Sequence, residues 1–564
     1  MALAVWLGSC AVAQAQGYFD ESSSILPATG ISVRPGDLRR HFQPAQDLKP
    51  DDHAPGWQIS TGIDIQEEYT DNVFAGGYYG GGGGGKPIGD FITTISPTIS
   101  VSGDTSRIKA NLFYSPSVQL YAHETSQNAI ANNFTGSVDV TLVPDALFLS
   151  LRGLASVQNI GGGYGTQGTG TQAQQNQVQT TTFSASPYFL HQFGGTGTLN
   201  VGVSIAHTSQ TGLGGLGNGQ YTSTAAGGGL TSQQQLQQQQ QITAASLAYG
   251  NYTTTQEYAS FATGEDFGRV SQRVSASATQ YDGIGVYQGA FSNVAAYDLG
   301  YAVNRTVTII GRVGYQDLAY GGVPAFRYSG LLWNVGTKIT VNQDTTLTIT
   351  YGRNDGVTAF AFDGAYAVSP RVRLFARYSE GIETGQEDTQ AALGSANIDQ
   401  GGGLFDAQNG TPLALGNNFF GLQNNLFRLK RFSASAVYLL DRDSYTASLV
   451  YQKETVLAFA AANPALSLAY GAPGSSEGTY LTLNWTHDLS ADLNLGLGAQ
   501  AGRFVSISAP RYSQLYGSLS ASANYALSQT LSLRGQYSFT RTTSNLPGGS
   551  FNNNIVLVGL HKQF

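Results

Sequence analysis

Charge is what this chain has least of. Only 11% of its residues are Asp, Glu, Lys or Arg, against roughly 25% in ordinary soluble domains. The net charge is −8 and no Lys/Arg run exceeds the pair Arg39-Arg40. Without a basic stripe, no nucleic-acid partner is expected. Cysteine is reduced to Cys10 alone, which excludes an internal disulfide and a thiolate metal centre. Long apolar runs are missing too. Past the first fifteen residues, no stretch approaches the ~18–20 apolar residues of a helical span. If the chain crosses a membrane, it must cross with strands. The histidines show neither HxH nor HExxH spacing, so no metal and no cofactor is expected. His487 beside Asp488, with serines nearby, imitates part of a hydrolase triad, but such residues are common at strand ends and no catalytic residue is expected. The glycine run at 80–85 satisfies a GxGxxG pattern only trivially, since no strand-to-helix unit surrounds it.

What the chain does have is glycine, 72 residues, and rings, with 31 Tyr and 27 Phe. Such a composition suits a sheet with one greasy face and one face of small polar residues. Mean hydropathy is −0.13 because alternation averages toward zero. The alternation is plainest in the last stretch, FNNNIVLVGLHKQF. Val556, Val558, Leu560 and Phe564 share one face, and Leu557, Gly559, His561 and Gln563 the other. A period of two means a strand. Lys562 falls on the apolar face, which near a membrane interface costs only about 0–1 kcal/mol.

Residues 1–15 read as a signal peptide ending in Ala13-Gln14-Ala15, a small-x-small cleavage pattern. The segment lacks a positive n-region, which leaves an upstream start open. Leu7-Gly8-Ser9-Cys10 offers the rival reading of a lipobox with Cys10 acylated. Residues 16–56, with much Pro, Asp and Arg, read as a mostly unstructured N-terminal extension. From Trp57 to Phe564 alternation continues through about twenty-two segments, with about 16 to 24 as the range. Every second connection is a short run of Asp, Asn, Gly, Ser or Pro. Others are long: 71–89, 159–177, 211–251, 384–426 and 457–477. The glutamine tract at 233–241 reads as a solvated loop. The rhythm predicts an all-β fold: a transmembrane, antiparallel, up-and-down β-barrel with short periplasmic turns and long extracellular loops. Both termini are then expected in the periplasm.

The faces divide as lipid and water require. In 306–316, Val307, Ile309, Val313 and Tyr315 are expected outward and Thr308, Arg312 and Gln316 inward. In 531–540 the inward set includes Ser532, Arg534, Gln536 and Ser538, so mid-strand charges are expected opposite the greasy face. Tyr114, Trp333, Tyr351, Tyr378, Tyr445, Tyr451 and Trp485 are expected in interface girdles. The parity places Lys109, Arg273, Arg312 and Lys338 on the lumen side. It places Arg371, Arg373, Arg377 and Arg534 there as well, with Asp64 and Glu68 on the same face. Two outcomes stay open: a basic bore that favours anions, or arginines paired with loop acids such as Glu380, Glu383, Asp388 and Asp406.

Tyr69-Thr70-Asp71-Asn72-Val73-Phe74, after the acidic Glu68, and then Phe91-Ile92-Thr93-Thr94-Ile95-Ser96-Pro97, resemble the opening strands of a family of outer-membrane β-barrel porins. The Gly264-Glu265-Asp266-Phe267 turn and the Phe terminus also fit. The tail Val556, Val558, Leu560, Phe564 resembles the signal read by the barrel assembly machinery of the Gram-negative outer membrane. The resemblance implies a porin-like channel for small hydrophilic solutes, or an export conduit for a secreted exopolysaccharide working with periplasmic export proteins. A plugged, non-transporting surface barrel is the third reading. The expected partners are outer-membrane lipid and lipopolysaccharide, the assembly machinery, and polysaccharide or periplasmic export proteins. The sequence leaves the oligomeric state open.

Overall fold

The computed structural model describes residues 56–75, 87–159, 177–213, 250–342, 344–387, 390, 396–398, 404–406, 422, 424–460, 474–508, 511–545 and 549–564. The leader, the extension up to residue 55, the 80–85 glycine run and the 233–241 glutamine tract lie outside these residues.

Twenty-two antiparallel strands form one closed sheet. The first half comprises β1 (Trp57–Thr70), β2 (Asp90–Asp104), β3 (Ile108–Tyr114 and Ser117–Tyr121), β4 (Ala129–Ala131 and Phe134–Val143), β5 (Leu147–Asn159), β6 (Gln177–Gln192), β7 (Gly197–Gly212), β8 (Tyr252–Thr263), β9 (Val270–Gly283), β10 (Phe291–Ala302) and β11 (Val307–Tyr320). The second comprises β12 (Phe326–Asn342), β13 (Thr345–Asn354), β14 (Val357–Ser369), β15 (Val372–Glu383), β16 (Leu426–Leu439), β17 (Asp443–Ala458), β18 (Ser476–Asp488), β19 (Leu493–Ser506), β20 (Tyr512–Ser528), β21 (Leu531–Ser544) and β22 (Phe551–Gln563). Each strand pairs with its neighbours in the chain, and β1 closes the ring on β22. Pro116 has no N–H to give the ladder, so β3 falls into two pieces, yet Tyr114 opposite Ile99 and Val118 opposite Ile95 keep one register. A small hairpin, Ala396–Ile398 with Leu404–Asp406, stands apart in the β15–β16 connection.

At the end where β1 begins and β22 finishes, connections run from two residues (370–371) to six (264–269). The opposite end carries the long connections 71–89, 160–176, 213–251, 384–425 and 459–475. One turn there breaks the rhythm: Asp355-Gly356 joins β13 to β14 with φ of 50° and 78°, the left-handed pair that a type I′ hairpin demands.

Register and exposure assign the faces. On β11, Ile309, Val313 and Tyr315 are 48%, 49% and 58% exposed, whereas Gln316 is 3%; Arg312 shares its inward face, opposite Asp298. Outward rings lie toward both strand ends: Trp57, Tyr301, Tyr366, Tyr445 and Tyr525 near the short turns, and Tyr69, Phe91 and Tyr351 near the long loops, whereas Tyr114, expected in a girdle, lies midway along β3 where Pro116 breaks it. Two girdles with Val and Leu between them are the wall of a lipid-embedded barrel. The expectation that strand charges avoid the greasy face fails toward the long-loop end, at Glu67 and Glu257 and also at strand residues such as Glu380, Lys430 and Lys453. Glu257 lies opposite outward Val203, and Glu67 accepts from Thr93 Oγ1 at 2.8 Å. Carboxylates are the less costly ions on that face.

The ring depends on one seam between chain ends. Its lower part is held by Phe564 N–H donating to Thr61 O at 2.8 Å and by Asp64 Oδ1 against His561 Nδ1 at 3.0 Å. Its upper part is held by the Tyr69–Phe74 phrase. Thr70 Oγ1 donates to Asn553 Oδ1 at 2.8 Å, Asp71 accepts from Asn554 N at 2.8 Å and Nδ2 at 2.6 Å, and Asn72 Nδ2 donates to Asn552 O at 3.1 Å. Val73 and Phe74 then turn inward onto Ile92 and Tyr121. The phrase is a clasp. Hydrogen bonds to a charged group contribute about 1.5–3 kcal/mol, so Asp71→Ala should lower the temperature at which the folded band disappears on semi-native gels. Asp71→Asn, which keeps an acceptor, should lose less. An unchanged transition in Asp71→Ala would mean that the clasp is dispensable.

Candidate transport pathway

Seven of the eight expected lining cations, Lys109, Arg273, Arg312, Lys338, Arg373, Arg377 and Arg534, occupy inward register positions. Arg371 does not: β15 begins at Val372, leaving Arg371 exposed in the turn, 3.6 Å from Asp441 of the next turn. Asp298 on β10 sits between two cations, 2.9 Å from Arg273 and 3.4 Å from Arg312. Arg377 meets Asp363 directly across the ladder at 3.8 Å, and Arg373 meets Asp344 at 3.3 Å. These partners belong to neighbouring strands and turns. Glu380 and Glu383, expected as loop acids, are residues of β15 itself, and Glu380 turns outward to Arg428 and Lys430. Asp388 lies outside the described residues, as does the side chain of Asp406. With side chains only 13–16% exposed, the four wall arginines are largely shielded from solvent beside their partners.

His487 places Nδ1 2.9 Å from Asp443 Oδ1, which also accepts from Trp485 Nε1 at 2.8 Å. Asp488, successive to His487 and so on the opposite face, accepts from Asn494 instead.

At the long-loop end the two sides of the ring meet. Asn424, just before β16, donates to Gln210 of β7 at 3.1 Å. Val323, between β11 and β12, exchanges two backbone hydrogen bonds with Phe459, just past β17, at 2.9 and 3.0 Å. Beneath them Tyr252, Val286, Tyr287, Leu318, Tyr320 and Leu426 form a buried cluster. The rings of Tyr252 and Tyr287 stack 4.0 Å apart, and Tyr281 stacks on Tyr287 at 5.7 Å.

Into this cluster the β15–β16 connection inserts its first turn. Thr384 caps a helical turn that begins at Gly385. Glu387 N–H donates to Thr384 Oγ1 at 3.2 Å, and Thr384 N–H donates to Glu387 Oε2 at 2.9 Å, a reciprocal capping box. Tyr320 OH donates to Glu387 Oε1 at 2.9 Å, Tyr252 OH donates to Gln390 Oε1 at 2.8 Å, and Tyr287 OH bonds Thr384 Oγ1 at 2.5 Å. Burial raises the Glu387 carboxyl above its ordinary value. Beside it, burial pushes Asp355 up to about 6 even though Gln316 bonds it.

These mouth residues were not singled out by sequence parity. The signals were present: Thr384-Gly385-Gln386-Glu387 spells a capping box, and Tyr320 shares the polar parity of Arg312 and Gln316. A tyrosine on the polar face was the overlooked clue.

The closed ring and its two-faced wall define the class, a 22-stranded antiparallel β-barrel with a lipid-type outer face. Residues 338–564 match the family described as "Putative beta-barrel porin 2". The match runs from the end of β12 through β22 and does not reach Tyr69–Phe74. No curated protein matches the chain. Among solved structures, the FrpB iron transporter from Neisseria meningitidis (F5-1 variant) is 10% identical with a TM-score of 0.48, covering 97% of this chain and 87% of that one. The ferric-catecholate import receptor Fiu from E. coli K12 is 12% identical with a TM-score of 0.44, covering 89% and 82%. A BenF-like porin from Pseudomonas fluorescens Pf-5 is 7% identical with a TM-score of 0.33, covering 90% and 99%. At these identities neither ligand nor mechanism carries across.

The burial that raises Asp355 and Glu387 predicts a pH-sensitive mouth packing. A carboxyl whose pKa is higher packed than released contributes stability fully present below its ordinary value and lost as pH rises through the packed value. For Asp355 the window runs from 3.8 up to about 6. Limited proteolysis of the β15–β16 connection should therefore quicken as pH is raised through about 6. Asp355→Asn combined with Glu387→Gln should flatten that dependence. A profile unchanged by both substitutions would place the titrating group elsewhere.

Proposed function

We propose that this chain passes small hydrophilic solutes passively across the outer membrane, with the mouth cluster of Tyr252, Tyr287, Tyr320 and Glu387 as its gate. The observation that carries this reading is the inward face. Ser, Thr, Asn and Gln recur on it around the ring, among apolar and aromatic residues such as Phe375, Tyr480 and Phe504, with arginine–aspartate pairs between them, a largely polar lining that suits water. Twenty-two strands enclose a bore too wide for wall side chains to fill, so what narrows it must come from its connections, and the turn Thr384–Glu387 is packed against the tyrosines of the mouth. In this reading the short-turn end, with both ends of the sheet, faces the periplasm. The arginine–aspartate pairing tempers the expected anion preference, because each acid offsets a neighbouring cation's field at short range.

Single-channel conductance of the refolded chain in planar bilayers tests the reading. The intact protein should show a mostly closed state with brief openings. Tyr287→Ala with Tyr320→Ala, which removes two rings and two hydroxyl ties, should give long, steady openings of weak ion selectivity. Silence from both proteins, each shown to be folded, would sink the channel reading and favour a non-transporting barrel.

A further inference from the structure

The outward face carries a feature that a solute pathway does not use. On the arc from β13 to β21, Arg353, Arg428, Lys430, Lys453, Arg503 and Arg541 all lie within five residues of the strand ends at the long-loop side. Register puts each on the lipid-facing surface. Arg353 stands opposite Trp333, Lys430 opposite Lys453, Arg503 opposite Thr479 on the face of exposed Leu481, and Arg541 opposite Gly517 between exposed Leu515 and Leu519. Two residues further into the wall on the same face lie Tyr351, Phe432, Tyr451 and Phe539, and such rings mark headgroup depth. The cations therefore stand just outside the apolar band.

Only two acids share this arc of the collar among the described residues. Glu380 is covered by Arg428 and by Lys430 at 3.5 Å, and Glu477 meets Lys453 at 3.2 Å. Arg503 and Arg541 enter no ion pair among the described residues. Six cations against two acids leave a clear positive excess. On the other arc, β1 to β12, the outward collar carries Glu67, Glu257, Asp282 and Asp317 against Arg327. The collar is thus basic on one side and acidic on the other. General lipid solvation does not explain that asymmetry, because a bilayer surrounds the barrel evenly.

We infer that the β16–β21 face docks the phosphate groups of a phosphorylated glycolipid of the outer leaflet, with Lys430, Lys453, Arg503 and Arg541 as its anchors. The chemistry is complementary at each level. Guanidinium forks match phosphate oxygens in pairs, lysines add point charge, and the rings beneath receive the start of the acyl region. Several cations at one depth suit a headgroup with more than one phosphate. A single phosphodiester would leave part of the arc uncompensated. The inference rests on the long-loop end facing outward and is independent of whether the bore conducts.

The test is binding of bis-phosphorylated lipid A to the refolded full chain in detergent, read by native mass spectrometry. Dephosphorylated lipid A and phosphatidylglycerol serve as competing probes. The intact chain should hold the bis-phosphorylated form and show at least about tenfold weaker binding of the other two. Arg503→Gln with Arg541→Gln, and separately Lys430→Gln with Lys453→Gln, should each weaken binding by about tenfold. Arg327→Gln on the acidic arc should leave it unchanged. Heat-modifiable mobility on gels reports folding for every variant, and if one pair fails to fold the other decides. Equal retention of dephosphorylated lipid A, or equal loss in Arg327→Gln, would overturn the assignment. Conductance of the same preparations separates this result from the channel reading, since either can fail alone.

Discussion

The constraint behind everything else is that a strand inside hydrocarbon cannot leave its backbone amides unpaired. Each unsatisfied group costs several kcal/mol there, so the sheet must close, and the only place it can close is between the first strand and the last. The seam from Gly62–Gln563 to Thr70–Ile555 joins residues nearly five hundred positions apart. Other ladders join strands adjacent in the chain, which hairpins bring together at little entropic cost. This one must wait for the whole barrel. That explains why side-chain bonds crowd it at both ends: Asp64 with His561 below, and Thr70, Asp71 and Asn72 with the Asn552–Asn554 run above.

Closure with this many strands creates the second problem, an interior too wide for its own wall to fill. The chain meets it in two ways. Along the wall, arginines pair with aspartates of neighbouring strands and turns, which offsets their charge at short range. At the mouth, the opposite sides are drawn together by Val323 with Phe459 and by Asn424 with Gln210. A helical turn capped by Thr384 and Glu387 is set into the tyrosines beneath. Apolar and polar terms cooperate there. The stacked rings exclude water, and the hydroxyls take up the polar groups of a connection that would otherwise be buried without partners.

The outside is organised by depth. Girdle rings, an apolar middle and a charged collar at the long-loop end succeed one another across the wall because the surrounding medium changes from headgroup to hydrocarbon and back. Lys562, anomalous by parity, illustrates this. It lies at the short-turn end, where its Nζ donates to Thr530 Oγ1 at 2.7 Å. Glu257 lies five residues from the long-loop end of its strand, as deep as Lys453.

Local periodicity determined a great deal. Alternation and turn chemistry fixed the strands nearly to the residue, since Trp57–Thr70, Tyr252–Thr263, Thr345–Asn354 and Leu493–Ser506 each end where the alternation ends. Parity fixed the faces for the same reason, because side chains a strand residue apart must point opposite ways. The chain by itself therefore settled the architecture, the two-faced wall and, Arg371 excepted, the inward side of the expected lining cations. Only the closed ring decided what those arginines touch, that Tyr69–Phe74 clasps the far terminus, and that tyrosines on the polar face meet a loop from across the mouth. Those contacts depend on curvature and closure, which bring together residues hundreds of positions apart, and no local period records that distance.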